Sequence, residues 1–529
     1  MMQYLCMIQT FRIMPFENEV TYVKYVKNGK EKEFNELYDK ACEEAKKYIG
    51  KEYKNIIGKE VEESNKIKHT SPVDGKEIGI FQAGSQKYVD EAISMLKKAQ
   101  KSWFKSGYVN RARVMLKAAD LMSRDKFLIS ALLAYENGKN RTEAMADVDE
   151  GIDFLRYYAL NLIENQGFVR FTGKGYENEE SMSYMKPYGV FAVIAPFNFY
   201  AITAGMVAGP LITGNSVLLK PSSDIPLTSY LYVKTLIEAG VPAENIAFIS
   251  GKGSEIGPYI TAHKDISGIL FTGSRDAGIS IFKNATKDRP KVVITEMGGK
   301  DTITVTSKAD INKAVNGVYR AAFGYSGQKC SACSIAYVEE KVYDQFLTKI
   351  KETTDKLIVG DPKKLETYMG PVINKEAVEK FKKYSEVARK DGKILSGGNV
   401  IEGPGNFVRP TIVTDLPKNS DIIRHELFLP FLAIVKVKSL DEAIERINES
   451  DYGLTGGIFT EDPSEIQKYF DEVEVGTIYA NRERGGSTGA MVGSQPFVGW
   501  KLSGISGKGT GSFYYLQQFL REQSQTIAH

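Results

Sequence analysis

Between residues 190 and 295 the chain repeats one rhythm. Short runs of apolar and β-branched residues at 190–195, 216–219, 246–250, 266–271 and 291–295 predict strands. Runs without a polar alternate position suit strands buried on both faces. Between them, at 201–212, 227–239, 253–262 and 276–285, apolar residues recur every three or four positions and predict helices. Strand–helix alternation of this kind predicts βαβ units and a parallel sheet, with ligands bound beyond the carboxyl ends of the strands.

The flanking stretches read differently. Residues 30–66 are charged and helical in period, with Phe34, Leu37, Ala41 and Ala45 on one face. Two or three amphipathic helices are predicted across 89–134, one of them carrying Ala92, Ile93, Leu96 and Ala99 as its stripe, and a further helix across 144–162. Residues 166–185 alternate around an acidic Gly/Asn turn and predict a projecting hairpin. A second α/β stretch covers 301–499, with helices at 341–357 and 375–391 and strands near Ile412, at 432–436 and at 477–480. A glycine cluster at 503–512 leads into an aromatic tail, 513–519, expected to be extended.

Composition narrows the class. A chain of 529 residues is expected to hold about three domains at ~150 residues each. Lys+Arg 69 against Asp+Glu 66 leaves a net charge of +3, without the basic excess that nucleic-acid binding calls for. Four cysteines do not make a disulfide scaffold, so a reducing, cytoplasmic setting is expected. No run reaches the ~18–20 apolar residues of a membrane span. The apolar start, Met1 to Ile13, lacks a basic region and a cleavage site, so it is not expected to be a signal peptide, and Met14 reads as the natural beginning.

The residues with chemistry sit at the predicted strand ends: Pro196-Phe-Asn198-Phe, Lys220-Pro-Ser222-Ser223, Gly251-Lys-Gly253, Thr272-Gly273-Ser274 and Glu296-Met-Gly-Gly-Lys300. Glycines at a strand–helix turn let backbone approach a pyrophosphate at the helix N-terminus. Glu296 closes an apolar strand, where an unpaired charge is costly, so it is either paired or functional. Cys330-Ser331-Ala-Cys333 admits several readings: a single nucleophile, a redox dithiol, half of a metal site, or small buried residues. The other cysteines and the four histidines are scattered along the chain and supply no sensible ligand spacing, so no metal is expected.

Taken together, Pro196-Phe-Asn198-Phe, Gly214-Asn-Ser-Val-Leu-Leu-Lys220-Pro-Ser, Phe271-Thr-Gly-Ser274, Glu296-Met-Gly-Gly-Lys300, Gly327-Gln-Lys-Cys330 and Glu426-Leu-Phe428 resemble, in order and spacing, the NAD(P)-dependent aldehyde dehydrogenase superfamily over about residues 65 to 522. The resemblance implies an α/β fold with three parts. These are a Rossmann-like dinucleotide-binding domain (1–165 and 186–297), an α/β catalytic domain (298–499) and a small β oligomerisation arm (166–185 and 500–529). It also implies NAD or NADP as cofactor, a small-molecule aldehyde as substrate, and a homodimer or an assembly of dimers, with the arms pairing across subunits.

By the same resemblance Cys330 is the nucleophile, Asn198 an oxyanion donor and Glu296 the base that activates water. Pro196, Phe197, Lys220, Ser222, Ser223, Gly253, Gly273, Ser274, Glu426 and Phe428 would hold the cofactor. Ser223 stands where NAD-preferring members often carry Glu, which leaves NADP open, and Leu429 stands where Gly is usual. Phe323-Gly-Tyr-Ser-Gly-Gln-Lys-Cys330-Ser-Ala-Cys-Ser334 and Ser487-Thr-Gly-Ala490-Met-Val-Gly-Ser-Gln-Pro-Phe497 are most similar to the branch acting on 1-pyrroline-5-carboxylate. There Ser331 and the backbone N–H groups of Gly489 and Ala490 would bind the substrate carboxylate. Val498, where that branch often has Gly, leaves another semialdehyde open.

Overall fold

The structure, a computed structural model, describes residues 16–483 and 491–529. Two seven-stranded sheets organise it. In the first, Val292–Glu296, Gly268–Thr272, Val190–Ile194, Ser216–Lys220 and Ile246–Phe248 lie side by side in that order, all parallel. Every residue of Val190–Ile194 and of Ser216–Lys220 is buried. Helices cover the faces of this sheet, so its strands read as unbroken apolar runs. Each fully buried Val, Ile or Phe contributes about 1.5–3 kcal/mol.

The predicted helix across 30–66 ends early. Its helical part is Glu31–Ala45, with Phe34, Tyr38, Ala41 and Ala45 buried. Gly50 and Gly58 adopt left-handed φ of 79° and 69°, which interrupts a helix, and short strands take over. Asn55–Ile57 joins the edge of the first sheet antiparallel, pairing Ile56 with Phe248, and Lys59–Val61 folds back on it. Lys51–Tyr53, Glu77–Gln82 and Lys66–Thr70 form a separate three-stranded sheet. Charge between apolar positions mimicked a helical period here, and backbone pairing overrode it.

The region across 89–134 is two helices, Gln86–Lys105 and Tyr108–Glu136, followed by Arg141–Glu164. None of the helices among the described residues is long and apolar enough to cross a membrane. The second sheet runs Lys393–Ser396, Thr411–Thr414, Phe431–Val437, Cys333–Glu339, Asp301–Val305, Thr455–Phe459, Thr477–Ala480. It is parallel except at its first, antiparallel edge strand. Four residues, Met297 to Lys300, join the last strand of the first sheet to a central strand of the second.

The hairpin forms from Val169–Phe171 and Glu179–Pro187, and Leu520–Ala528 of the same chain adds a third antiparallel strand with Leu520 opposite Pro187. The segment before it is not extended. Tyr515–Phe519 is a turn of 3₁₀ helix with Tyr515, Leu516 and Phe519 buried. Phe519 lies over Gly209, where a Cβ would come within 2.5 Å of its ring, and Tyr515 stacks on Tyr158. Aromatic burial against the core replaces the extended tail.

Candidate active site

The Cys330 loop starts from a well-specified helix. Ile311–Phe323 buries Ile311, Ala314, Val315, Val318, Ala321 and Ala322 on one face. The Asp310 carboxylate accepts from the N–H groups of Asn312 and Lys313, a cap contributing about 1 kcal/mol. The helix stops at Gly324, and the next two residues, Tyr325 and Ser326, take left-handed φ of 48° and 56°. Such non-glycine strain costs about 1–3 kcal/mol per residue and persists only where neighbours over-determine it.

Here they do. The Tyr325 N–H donates to Glu143 Oε2 at 2.9 Å and its hydroxyl to the Asn137 carbonyl at 3.1 Å. Ser326 Oγ donates to the Gly370 carbonyl at 2.8 Å. Lys329 Nζ donates to Glu143 Oε1 at 2.7 Å, and Gln328 Oε1 accepts from the Ile373 N–H at 2.8 Å. The pinned turn delivers Cys330 beside Leu454 and Phe497, on the wall of a cavity.

Asn198 follows the strand Val190–Ile194 and is buried, its Nδ2 donating to the Gln328 carbonyl at 3.1 Å. Glu296 is the last residue of Val292–Glu296, and its Oε2 accepts from the Gly499 N–H at 3.2 Å. Burial pushes the Glu296 carboxyl up to about 8, with the Gly499 N–H pulling the other way. Burial also raises the Cys330 thiol well above its ordinary value, and the Asp301, Glu426 and Glu296 carboxylates push it further; the Ser331 N–H opposes them. Cys333 opens the strand Cys333–Glu339, is buried in the second sheet's core, and donates to the Ile335 carbonyl at 3.5 Å. Cys42, Cys330 and Cys333 are all free. No group of three or more His, Cys, Asp or Glu gathers as a metal site among the described residues.

A cavity of about 510 Å³ lies over the carboxyl ends of the first sheet. Cys330 and Asn198 share its wall with Pro196, Phe197, Ser222, Gly273, Ser274, Glu426 and Phe428. Ser274 directly precedes the helix Arg275–Thr286, whose N-terminus presents free N–H groups and a positive dipole end to an anion. Phe428 has φ 58° and meets Phe197 edge-on, ring centroids 5.7 Å apart. Glu426 Oε1 accepts from the Gly299 N–H at 3.3 Å, and burial raises its carboxyl to about 7. A Cβ on Gly298 would stand 1.8 Å from Glu426 Oε2, so any side chain there would displace the Glu426 carboxylate.

Lys220, Ser223 and Gly253 stand beside the cavity rather than on its lining. Lys220 Nζ donates to the Pro221 carbonyl at 2.7 Å, and burial lowers its ammonium to about 8. Ser223 Oγ reaches the Gly251 carbonyl at 3.5 Å. Gly253 opens the helix Gly253–Ala262 with nothing within 4 Å of where its Cβ would lie. The series therefore runs across adjacent strand ends from Glu296 to Gly253, an elongated track that suits a dinucleotide. Leu429, the departure noted above, is buried in the core, and its carbonyl lies over Gly327.

Ser331 is buried next to Cys330. Gly489 and Ala490 lie outside the described residues. A second cavity, about 560 Å³, borders the same loops through Phe199, Gly324 and Lys329, and is also lined by Met491 and Val492. Sequence reading missed Gln328, Glu143, Gly499 and the cavity-lining Arg275, Lys380 and His425. Lys329, immediately before the thiol, was the available hint for Glu143. The others become neighbours only through the fold.

Residues 60–524 match the aldehyde dehydrogenase family. The chain is 40% identical over 501 residues to 1-pyrroline-5-carboxylate dehydrogenase 2 of Bacillus subtilis, covering 93% of this chain and 96% of that relative. Among solved structures it is similar to the Thermus 1-pyrroline-5-carboxylate dehydrogenase with bound NAD, at a TM-score of 0.93 and 34% identity, over 98% of this chain and 100% of that one. Betaine aldehyde dehydrogenase from Staphylococcus aureus with NAD+ is similar at a TM-score of 0.86 and 27% identity, over 91% and 95% of the two chains. A free thiol on the wall of the strand-end cavity, with a buried amide on the same wall, accords with that match: the chain belongs to the aldehyde dehydrogenase family.

Proposed function

We propose that the chain oxidises L-glutamate γ-semialdehyde, the open form of 1-pyrroline-5-carboxylate, to L-glutamate in proline degradation, with NAD as cofactor and NADP accepted. The observation that carries the reading is Cys330 on the wall of the strand-end cavity, with the Asn198 amide on the same wall. The relatives' names supply the substrate.

Cys330 gives its proton to solvent, and the thiolate sulfur attacks the aldehyde carbon, forming the S–C bond and moving charge onto oxygen. One Asn198 N–H is committed to the Gln328 carbonyl, which orients the other toward that oxygen, together with the Cys330 N–H. Pro196, Phe197, Ser222, Gly273, Ser274, Glu426 and Phe428 hold the cofactor, with Lys220, Ser223 and Gly253 at its outer end. Bound cofactor supplies the hydride acceptor. Loss of the aldehyde hydrogen leaves a thioester on Cys330, which is activated toward water. Glu296 takes the proton from the attacking water, the C–S bond breaks, and the acid leaves with the thiol restored. Ser223 presents no carboxylate to repel a 2′-phosphate, so NADP fits the same track. Ser331 and the N–H groups of Gly489 and Ala490 bind the substrate's α-carboxylate.

In this reading residues 1–165 and 186–297 form the cofactor-binding domain, 298–499 the catalytic domain, and 166–185 with 500–529 the arm of a cytoplasmic homodimer or assembly of dimers. Phe171 and Ile527, 79% and 59% exposed on the arm, favour cover by a partner chain. The test is reduction of NAD and NADP across a panel of aldehydes. The highest kcat/KM is expected with 1-pyrroline-5-carboxylate. Higher values on succinate semialdehyde or simple alkanals would replace the substrate while leaving the chemistry in place.

A further inference from the structure

A buried ion pair touches the catalytic loops without belonging to either. Lys139 and Asp147 are 1% and 2% exposed, and Lys139 Nζ donates to Asp147 Oδ2 at 2.6 Å. The same carboxylate accepts from two backbone groups: the Tyr200 N–H at 3.0 Å and the Ala201 N–H at 2.9 Å. These are the first two residues of the helix Tyr200–Ile212, and Asn198 precedes them by two positions. Asp147 therefore caps, from outside, the first turn of the helix that begins two residues after Asn198.

The lysine faces both loops. Its Nζ lies 3.9 Å from the Phe199 ring centroid and 4.9 Å from that of Tyr325. Phe199 is the neighbour of Asn198, and Tyr325 is the first strained residue of the turn that presents Cys330. A cation held between two aromatic faces is attracted to both, and more strongly when desolvated. A buried ion pair is weak evidence for stability, because desolvation offsets most of the attraction. What this one fixes is geometry: one carboxylate ties down the Asn198 segment, and its partner ammonium sits against the Cys330 turn.

We infer that the Lys139–Asp147 pair positions the Asn198 amide relative to Cys330, and so governs the rate of the chemical step through Asn198. The inference rests on the oxyanion role given to Asn198 above. Neither residue lines the cavity that holds Asn198 and Cys330; both line the second cavity, on the other side of Phe199, so toward the thiol and the amide they act as positioning residues. A misplacement of about 1 Å in a catalytic group can lower a rate by up to ~100-fold.

The test is a double-mutant cycle on the single-turnover rate of NADH formation, with the NAD KM and the melting temperature recorded for each protein. Asn198→Ala is expected to lower the rate by about 100-fold. Asp147→Asn is expected to lower it by roughly 10–100-fold, with the NAD KM within about twofold of the parent. The double variant should match Asn198→Ala within about threefold, because a residue acting through Asn198 has nothing left to position. Losses that multiply in the double variant would overturn the inference. So would an Asp147→Asn rate within about twofold of the parent, whatever the melting temperature does. If Asn198→Ala itself leaves the rate unchanged, the oxyanion role is what fails, and the inference falls with it. Should Asp147→Asn not fold, Lys139→Gln enters the same cycle with the same expectations, because it leaves both N–H groups on the Asp147 carboxylate.

Discussion

Glu296 carries the clearest pH dependence at the scale of single residues. Its carboxyl is raised by burial to about 8, so the ionised form that can accept a proton from water predominates only above that value. Thioester hydrolysis is therefore expected to slow as pH falls through about 8, by roughly tenfold per unit below it. A pH jump checks this: acyl-enzyme formed at high pH and shifted to lower pH should release acid about tenfold more slowly per unit below 8. A release rate that is flat from pH 6 to 9 would remove Glu296 from the step. The two thiols separate just as cleanly. Cys330→Ala is expected to abolish aldehyde oxidation, whereas Cys333→Ala should keep most of it and lose about 1 kcal/mol of stability from its core position. Equal losses of activity from both would restore the dithiol reading. Cys330, Glu296 and Asn198 were conspicuous in the sequence as candidates because each sits in a motif at a strand end or in a glycine-bounded loop. Gln328 and Gly499 were not, because their contacts with Asn198 and Glu296 span 130 and 203 residues and arise from tertiary packing alone.

Among the elements, the parallel strands of the first sheet were the easiest to read, since burial on both faces writes an unbroken apolar run. The short strands between 51 and 61 were hidden, because each is only three residues long and two of them, Lys51–Tyr53 and Lys59–Val61, lie at sheet edges and carry lysine and glutamate. The Met297–Lys300 connection matters for a reason no local pattern displays. It packs Gly298 beneath Glu426 and Gly299 against Asp301 and the Cys330 carbonyl, so backbone takes up space that a side chain would otherwise need. Gly298→Ala would place its Cβ 1.8 Å from the Glu426 carboxylate. It is expected to weaken NAD binding by about tenfold or more, with folding retained, since the carboxylate must leave the cofactor wall. Fluorescence titration with NAD reads this directly. Unchanged affinity would mean that Glu426 does not hold the cofactor.

On the scale of the whole molecule, the two large sheets are joined through Met297–Lys300 beside Cys330, and a separate three-stranded sheet forms the candidate arm. Deleting residues 523–529 removes most of the strand that pairs with Glu179–Pro187 and is expected to shift the assembly toward monomer in light scattering. Full retention of the parent mass would show that the arm is not the contact. The central claim is that the enzyme turns over through an acyl group carried on Cys330. Its most direct test is intact-mass analysis of Glu296→Gln after incubation with NAD and 1-pyrroline-5-carboxylate. A stoichiometric glutamyl adduct that maps to Cys330 is expected, with NADH formed in equal amount and little further turnover. NADH formation without an adduct, or an adduct on Cys333, would contradict it.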